Sequence, residues 1–245
     1  ALNIRLRTLG PVHPYVAHSY NVTGMVYDAE GNHAKALEYL EKGLNIEIKT
    51  LGEGHPDVAK SYGNMGNIYC EDKNYTKSLD YHQKCVDILI KATGRETVDL
   101  ATAYNNIGRV HEDQNNNEDA IEFYNKCLKI NNKRLGPQHP DIAVSYSNLG
   151  LIHTRMGRHE EAVEYEKKSY DIMVKKFGAN HPDTQEAKRS LNIATREMKR
   201  WLKKGVGGLS AATVAGNPGS PGGTDNRSVQ SSPEIGTGRD RTLTI

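Results

Sequence analysis

The chain has 245 residues, of which 36% are hydrophobic and 25% are charged, and its formal net charge at pH 7 is +2. With two Phe and one Trp, the chain has few large apolar side chains for a single compact core. A solenoid tolerates such a composition because each of its units contacts only its neighbours. The near balance of 32 basic and 30 acidic residues predicts neither a nucleic-acid partner nor a membrane partner.

The first eight residues repeat a later segment. Residues 1–8 read ALNIRLRT and are a close copy of residues 43–50, which read GLNIEIKT. This similarity predicts that the chain opens inside the second helix of a preceding repeat. We therefore expect the sequence to be a fragment of a longer array.

One junction recurs every 42 residues. Its first part is a residue pair that ends in Gly, and a His-Pro pair follows in four of the five copies, whereas the third copy reads Thr97-Val98. Because Gly accepts the left-handed end of a helix and Pro favours the first helical turn, each junction predicts the end of one helix and the start of the next. The Gly-ending pairs are Leu9-Gly10, Leu51-Gly52, Thr93-Gly94, Leu135-Gly136 and Phe177-Gly178, and the His-Pro pairs begin at His13, His55, His139 and His181.

The residues between two junctions have helical periodicity. In the second unit, apolar residues of Ala59–Tyr69 fall at three-to-four spacing, which predicts a first helix. A polar turn follows, and Thr76–Ala92 places its apolar residues on one stripe of a second helix. The predicted organisation is residues 1–8 as the end of a truncated repeat, 9–50, 51–92, 93–134 and 135–176 as repeats 1 to 4, 177–204 as a half repeat or capping helix, and 205–245 as a disordered tail rich in Gly, Ser and Pro.

The units resemble tetratricopeptide repeats. An aromatic residue, a Gly, an aromatic or His and two small residues recur at fixed spacing, as in Tyr62, Gly66, Tyr69, Ser78 and Cys85. The resemblance covers residues 1 to about 204 and implies an all-α, right-handed αα-hairpin solenoid with a C-terminal capping helix and a disordered tail.

The sequences of the junctions indicate a subgroup of these repeats. The segment Leu51-Gly-Glu-Gly-His-Pro-Asp-Val-Ala59 is similar to the junctions of the long repeats in kinesin light chain and nephrocystin. A repeat of 42 residues in place of the usual ~34 adds about one turn to each helix.

The histidines that could be catalytic or metal-binding residues are predicted to have structural roles. The chain has no Gly-x-x-x-x-Gly-Lys-Ser/Thr loop, and the four His of the His-Pro pairs are expected at helix N-termini. His111 and His153 occupy the repeat position held by Tyr27 and Tyr69, which predicts a packing role. We therefore predict no catalytic residue, no metal site, no cofactor and no small-molecule substrate.

The three cysteines indicate a reducing compartment. Their odd number does not suit a disulfide framework, and this predicts a cytoplasmic location. Cys85 and Cys127 share one repeat position and are predicted to be small core residues, whereas Cys70 is expected near the surface.

The resemblance also implies a binding groove. It places the first helices on the concave side of the solenoid, and Asn64, Asn106 and Asn148 share one repeat position there. Equivalent asparagines of kinesin light chain and related proteins hold extended cargo peptides. A carboxamide has a donor and an acceptor, so a row of them can bind a peptide backbone without reading its side chains. The row is interrupted at Val22 and Ser190, which confines it to the central units.

Neighbouring residues complete the predicted peptide-binding site. Lys60, Arg109 and Arg155 add positive charge, which favours an acidic or aromatic-acidic peptide of a protein partner. The predicted function is a non-catalytic protein–protein interaction scaffold that resembles the cargo-adaptor repeats of kinesin light chain. The remaining predicted peptide-binding residues are Asn21, Asn67 and Asn105.

The sequence is also compatible with two other functions. The same long repeats form the sensor array of larger signalling NTPases, whose catalytic domain would lie upstream of residue 1. The chain could also be a structural spacer without a groove ligand, in which case the asparagines would serve hydrogen bonds within the repeats. An upstream coiled coil would favour the adaptor, and an upstream phosphate-binding loop would favour the NTPase.

Overall fold

The protein consists of α-helices that are joined by short turns. The structure, a computed structural model, describes residues 2–93 and 96–212, with side chains described as far as residue 205. Over these ranges the helices pack as successive pairs and no strand is present. The helices are α1 (Leu2–Leu9), α2 (Pro14–Ala29), α3 (His33–Leu51), α4 (Pro56–Glu71), α5 (Tyr75–Thr93), α6 (Val98–Asp113), α7 (Asn117–Leu135), α8 (Pro140–Arg155), α9 (His159–Phe177) and α10 (Pro182–Ala212).

The first helix of each pair begins at the predicted junction. Nδ1 of His55 accepts a hydrogen bond from the backbone N–H of Asp57 at 3.1 Å, and the other three His-Pro histidines accept the equivalent bond. In the third junction, Oγ1 of Thr97 accepts from the N–H of Leu100 at 3.2 Å. A side-chain cap is therefore kept where the His-Pro pair is missing.

The turns depend on residues with positive φ. Gly52 and Gly136, which follow the second helices, have φ values of 87° and 82°, as the sequence predicts, and Gly94 lies outside the described residues. The turn between the two helices of a pair also needs positive φ, which is 57° at Lys73 and 59° at Asn115. Both kinds of turn thus use a left-handed residue at a fixed repeat position.

The two helices of each pair approach most closely at a glycine of the first helix. A Cβ atom built on the buried Gly108 would lie 2.7 Å from Cε1 of Tyr124, which is closer than real Cβ contacts. The absence of a side chain at this position therefore sets the distance between the helices. The equivalent contacts join Gly24 to Leu40, Gly66 to His82 and Gly150 to Glu166.

An aromatic side chain of the second helix lies against two rings of the first. In the third pair the centroid of Phe123 is 6.0 Å from that of Tyr104 and 5.5 Å from that of His111, with the latter two rings nearly parallel. In the fourth pair His153 lies 5.2 Å from Tyr165. The packing role predicted for the two histidines is confirmed.

Successive pairs stack through the second helix of one and the first helix of the next. Met65 and Ile68 of α4 are at most 1% exposed and pack against Leu40 of α3. At the other end, Oγ1 of Thr184 in α10 donates to the carbonyl of Met173 in α9 at 3.2 Å. Helix α10 therefore occupies the place of a first helix, as predicted for a capping helix.

Helix α10 continues to Ala212, beyond the end predicted at Lys204. The extension passes through Gly205, Gly207 and Gly208, each of which costs about 1 kcal/mol in a helix interior, and it ends before Pro218. Residues 1–201 form one unit and residues 202–245 a second. The part from residue 213 onwards, with most of the predicted disordered tail, lies outside the described residues.

In the part of the chain that the structure describes, no helix is long and apolar enough to cross a membrane.

Replacing Gly108 by Ala is expected to lower the free energy of unfolding by about 1–3 kcal/mol, because the new methyl group displaces Tyr124 or the backbone. Urea unfolding followed by far-UV circular dichroism measures the change. Gly63→Ala is the matched control, since its Cβ would meet only Sγ of Cys85 at 3.7 Å. The control is expected to be neutral or to stabilise by up to ~1 kcal/mol. Equal destabilisation by the two variants would contradict the close-approach explanation.

Candidate functional site

Side chains of successive first helices contact one another and form one continuous surface. Nη2 of Arg109 in α6 donates to Oδ1 of Asn67 in α4 at 3.1 Å, and Nδ2 of Asn148 in α8 donates to Oδ1 of Asn105 in α6 at 3.1 Å. Helices α4 and α6 also contact each other directly. We call this surface of α2, α4, α6 and α8 the first-helix face. The structure thus brings four predicted site residues into contact as two separate pairs.

The asparagines at the shared repeat position are half-buried in the first-helix face. Among the described residues, the carboxamides of Asn64 and Asn106 have no hydrogen-bond partner, while Asn148 uses its Nδ2 atom toward Asn105. Polar groups at partly buried positions are normally satisfied by protein, water or ligand. Two neighbouring repeats therefore present carboxamides that the described protein groups leave available.

The three predicted cations differ in how their charge is compensated. Nη1 of Arg155 lies 3.1 Å from Oε1 of Glu112, and Lys60 lies 3.7 Å from an aspartate one turn earlier. Arg109 bonds to the neutral Asn67 and, as far as the described residues show, has no carboxylate within ion-pair distance. Arg109 is therefore the one of these three cations that forms no ion pair within the described part of the chain, although Glu112 and Asp113 follow it by three and four positions on the same helix.

A partly buried hydrogen bond connects the first-helix face to the core. The hydroxyl of Tyr124 donates to Oε2 of Glu112 at 2.7 Å, and the other oxygen of Glu112 pairs with Arg155. Burial is the main cause that raises the pKa of Tyr124 well above its usual value, and Glu112 adds to it. The phenol therefore stays protonated and remains a donor. Tyr124, whose ring lies against Gly108, therefore also positions Glu112, which pairs with Arg155.

Asn21 lies in a different environment from the other predicted asparagines. Its Nδ2 atom donates to Oε1 of Glu47 at 2.6 Å and to Oγ of Ser61 at 3.1 Å, and Ser61 donates to Oε2 of Glu47 at 2.6 Å. Glu47 is 6% exposed, and burial raises its pKa although both hydrogen bonds oppose the shift. The amide of Asn21 thus stabilises a buried carboxylate between repeats 1 and 2.

Cys70 is buried, so the prediction that it lies near the surface was wrong. It is 4% exposed, and its thiol donates to Oδ2 of Asp113 at 3.4 Å. Burial raises its pKa to about 12, so the reactive thiolate is not populated at neutral pH. The sequence prediction failed because Cys70 contacts Asp113, which lies 43 positions later on the next first helix. The periodicity of a single helix does not show such a contact. Cys85 and Cys127 are buried, as predicted.

One cluster of charged side chains was not predicted from the sequence. It lies where the ends of α2 and α4 meet the start of α3, with a histidine among three carboxylates. No spacing motif links residues so far apart, and the only signal is a His at a position where the next two repeats have Tyr and Asn. The members are Asp28, His33, Glu71 and Asp72.

Comparisons with known proteins identify related repeats. The sequence model described as tetratricopeptide repeat matches residues 1–49, 24–91, 57–133 and 99–175. No match to a curated protein is found.

Several solved structures are similar to this chain. One is a protein of Podosopora anserina with nearly identical TPR-like repeats, provisionally called a kinesin light chain, with 22% identity, a TM-score of 0.66 and coverage of 83% of this chain and 99% of that chain. BtubC (BKLC) of P. vanneervenii has 18% identity, a TM-score of 0.54 and coverage of 89% and 73% in the same order. The apo form of RapI has 15% identity, a TM-score of 0.64 and coverage of 75% and 64%. At these identities the similarity shows the fold alone.

Replacing Glu47 by Gln is expected to raise stability at pH 7 and to reduce its pH dependence. Because the pKa of Glu47 is raised above the ordinary value of 4.5, the folded protein binds more protons than the unfolded chain above that pH. Its contribution to stability therefore falls as pH rises from 4.5 through the raised pKa, and Gln removes this loss. Urea unfolding between pH 5 and 8 measures the difference.

The matched control for this experiment is Glu41→Gln, which changes an exposed glutamate of the same helix. It is expected to leave the pH dependence unchanged. Parallel stability curves for the wild type and Glu47→Gln would contradict the assignment of Glu47 as a buried carboxylate with a raised pKa.

Proposed function

The chain belongs to the tetratricopeptide repeat family, and on that premise we propose that it is a non-catalytic scaffold that binds an extended peptide of a protein partner on its first-helix face. This function resembles that of the cargo-adaptor repeats of kinesin light chain. The observation that carries the proposal is the pair of carboxamides, Asn64 and Asn106, that share one repeat position and have no partner among the described residues. A peptide backbone supplies the donor and the acceptor that each of them needs.

The distance between adjacent first helices suits an extended peptide. Helices in direct contact, such as α4 and α6, have axes about 8–10 Å apart. An extended chain rises about 3.3 Å per residue. Carboxamides on neighbouring first helices would therefore meet backbone groups about three residues apart, and Asn148 with its free Oδ1 extends the row by one more repeat.

The charge of Arg109 favours an acidic peptide. Arg109 lies one turn after Asn106 on the same helix, so its guanidinium is adjacent to the proposed backbone contact. Its bond to Asn67 fixes the side chain without neutralising it. An Asp or Glu side chain of the peptide would supply a direct ion-pair partner, which mainly increases specificity and association rate. Arg155 and Lys60 contribute less because each already forms an ion pair.

We also propose a cytoplasmic location. Cys70, Cys85 and Cys127 are all free thiols at buried positions, which is consistent with a reducing compartment. Neither a nucleic acid, a membrane nor a small-molecule substrate is part of the proposal.

Fluorescence anisotropy of the full chain against labelled disordered peptides, half of them acidic, tests the peptide site. We expect micromolar binding that favours the acidic peptides and weakens with salt. The double variant Asn64→Ala and Asn106→Ala is expected to raise Kd at least tenfold, about 1.4 kcal/mol. The matched control is Asn45→Ala with Asn125→Ala, which removes two exposed asparagines of the second helices.

The control variant is expected to bind as the wild type does, and both double variants should keep the wild-type thermal unfolding curve. Absence of binding by the wild-type chain would contradict the proposal. An equal loss of affinity in the two double variants would also contradict it, because it would locate the contacts outside the row of carboxamides.

A further inference from the structure

A histidine faces two carboxylates where repeats 1 and 2 meet. Nε2 of His33 lies 3.4 Å from Oε2 of Glu71 and 3.9 Å from Oδ1 of Asp28. One ligand-type atom from each of the three side chains lies within 4.8 Å of the other two. The residues come from three helices, so the cluster joins α2 and α3 of one repeat to α4 of the next.

The other nitrogen of His33 fixes the orientation of the ring. Nδ1 lies 2.5 Å from Oδ1 of Asp72, and a carboxylate can only accept, so Nδ1 carries a proton. When the imidazole is neutral, Nε2 presents its lone pair to Glu71 and Asp28. When it is protonated, Nε2 forms ion pairs with the same carboxylates, so a bound metal ion would replace this proton. A histidine that donates from one nitrogen to a carboxylate and presents the other to a metal ion is the usual arrangement in metal sites.

One carboxylate oxygen of Asp28 is buried inside this cluster. This atom, Oδ1, is inaccessible to solvent and accepts no hydrogen bond from any of the described residues. Its nearest cationic group is Nε2 of His33 at 3.9 Å, which is beyond hydrogen-bond distance. A buried carboxylate oxygen that accepts no hydrogen bond is costly, and coordination of a metal ion is one of the ways in which proteins satisfy it.

The equivalent positions of the later repeats are satisfied by the protein itself. At the position of Asp28 the third repeat has Glu112, which Arg155 of the fourth repeat neutralises at 3.1 Å. The second repeat has the neutral Cys70, which donates to Asp113. The junction between repeats 1 and 2 differs because acidic groups of both repeats face a single histidine.

The distances suit a small tetrahedral ion. Bonds of about 2.0–2.1 Å to nitrogen and oxygen place two ligand atoms of a tetrahedral Zn²⁺ site roughly 3.3 Å apart. The separation from Nε2 of His33 to Glu71 has nearly this length, and the one to Asp28 exceeds it by about half an ångström. Side chains of this exposure can close such a gap by small rotations.

We propose that Asp28, His33 and Glu71 bind a divalent transition-metal ion of the Zn²⁺ class, with Asp72 as the positioning residue for the imidazole. A mixed set of one imidazole and two carboxylates suits this class of ion. Water would complete the coordination. The ion would connect repeat 1 to repeat 2, and the site is independent of the proposed peptide contacts.

Titration of the untagged full chain with Co²⁺, followed by visible absorption, and with Zn²⁺, followed by calorimetry, tests the site. We expect one equivalent of Co²⁺ to give tetrahedral d–d bands without thiolate charge-transfer absorption. His33→Gln is expected to abolish this binding, and Asp72→Asn is expected to weaken it about 10- to 100-fold. Zn²⁺ should also raise the melting temperature of the wild type but not that of His33→Gln.

The matched control is His159→Gln, because His159 occupies the same repeat position as His33. It should bind Co²⁺ as the wild type does. Absence of a saturable site, or equal loss in the His33 and His159 variants, would overturn the proposal. Far-UV circular dichroism checks that each variant is folded. If His33→Gln is not folded, Asp28→Asn and Glu71→Gln decide the question, and unchanged binding in both would overturn the proposal.

Discussion

The close approach of two helices at one glycine per repeat is the constraint on which the other features of this solenoid depend. A methyl group at Gly108 would overlap Tyr124, so the pair can adopt its spacing only because the side chain is absent. That spacing brings the rings of the two helices into contact on the same pair. It also lets Tyr124 reach Glu112 and so hold Arg155 on the first-helix face. The geometry of the proposed binding surface thus follows from the packing beneath it.

The repeats share one backbone fold but differ in the side chains that form the interfaces between successive repeats. Between repeats 1 and 2, Glu47 is buried with Ser61 and Asn21, whereas the equivalent positions one repeat later are Leu89, Ala103 and Gly63, without a polar side chain. A buried carboxylate opposite an alanine would lose a hydrogen-bond donor at a cost of about 1–3 kcal/mol. The interface between repeats 1 and 2 therefore depends on side chains that the next interface does not share.

The sequence predicts the features that are local to one repeat and misses those that join two repeats. The period of 42 residues, the His-Pro junctions and the packing of His111 all follow from signals within one unit. The burial of Cys70 and the cluster around His33 depend on residues of a neighbouring first helix, and no single-helix pattern records that contact. The row of asparagines was visible as a repeat, but the absence of partners for Asn64 required the structure.

The proposed function requires that the carboxamides of the first-helix face contact a bound peptide. Side-chain amide NMR of the full chain, recorded with and without an acidic peptide, observes these groups directly. We expect the amide signals of Asn64 and Asn106 to shift on binding, while those of Asn45 and Asn125 on the second helices stay in place. Shifts confined to the second-helix asparagines would contradict it and would place the binding surface on the opposite helices.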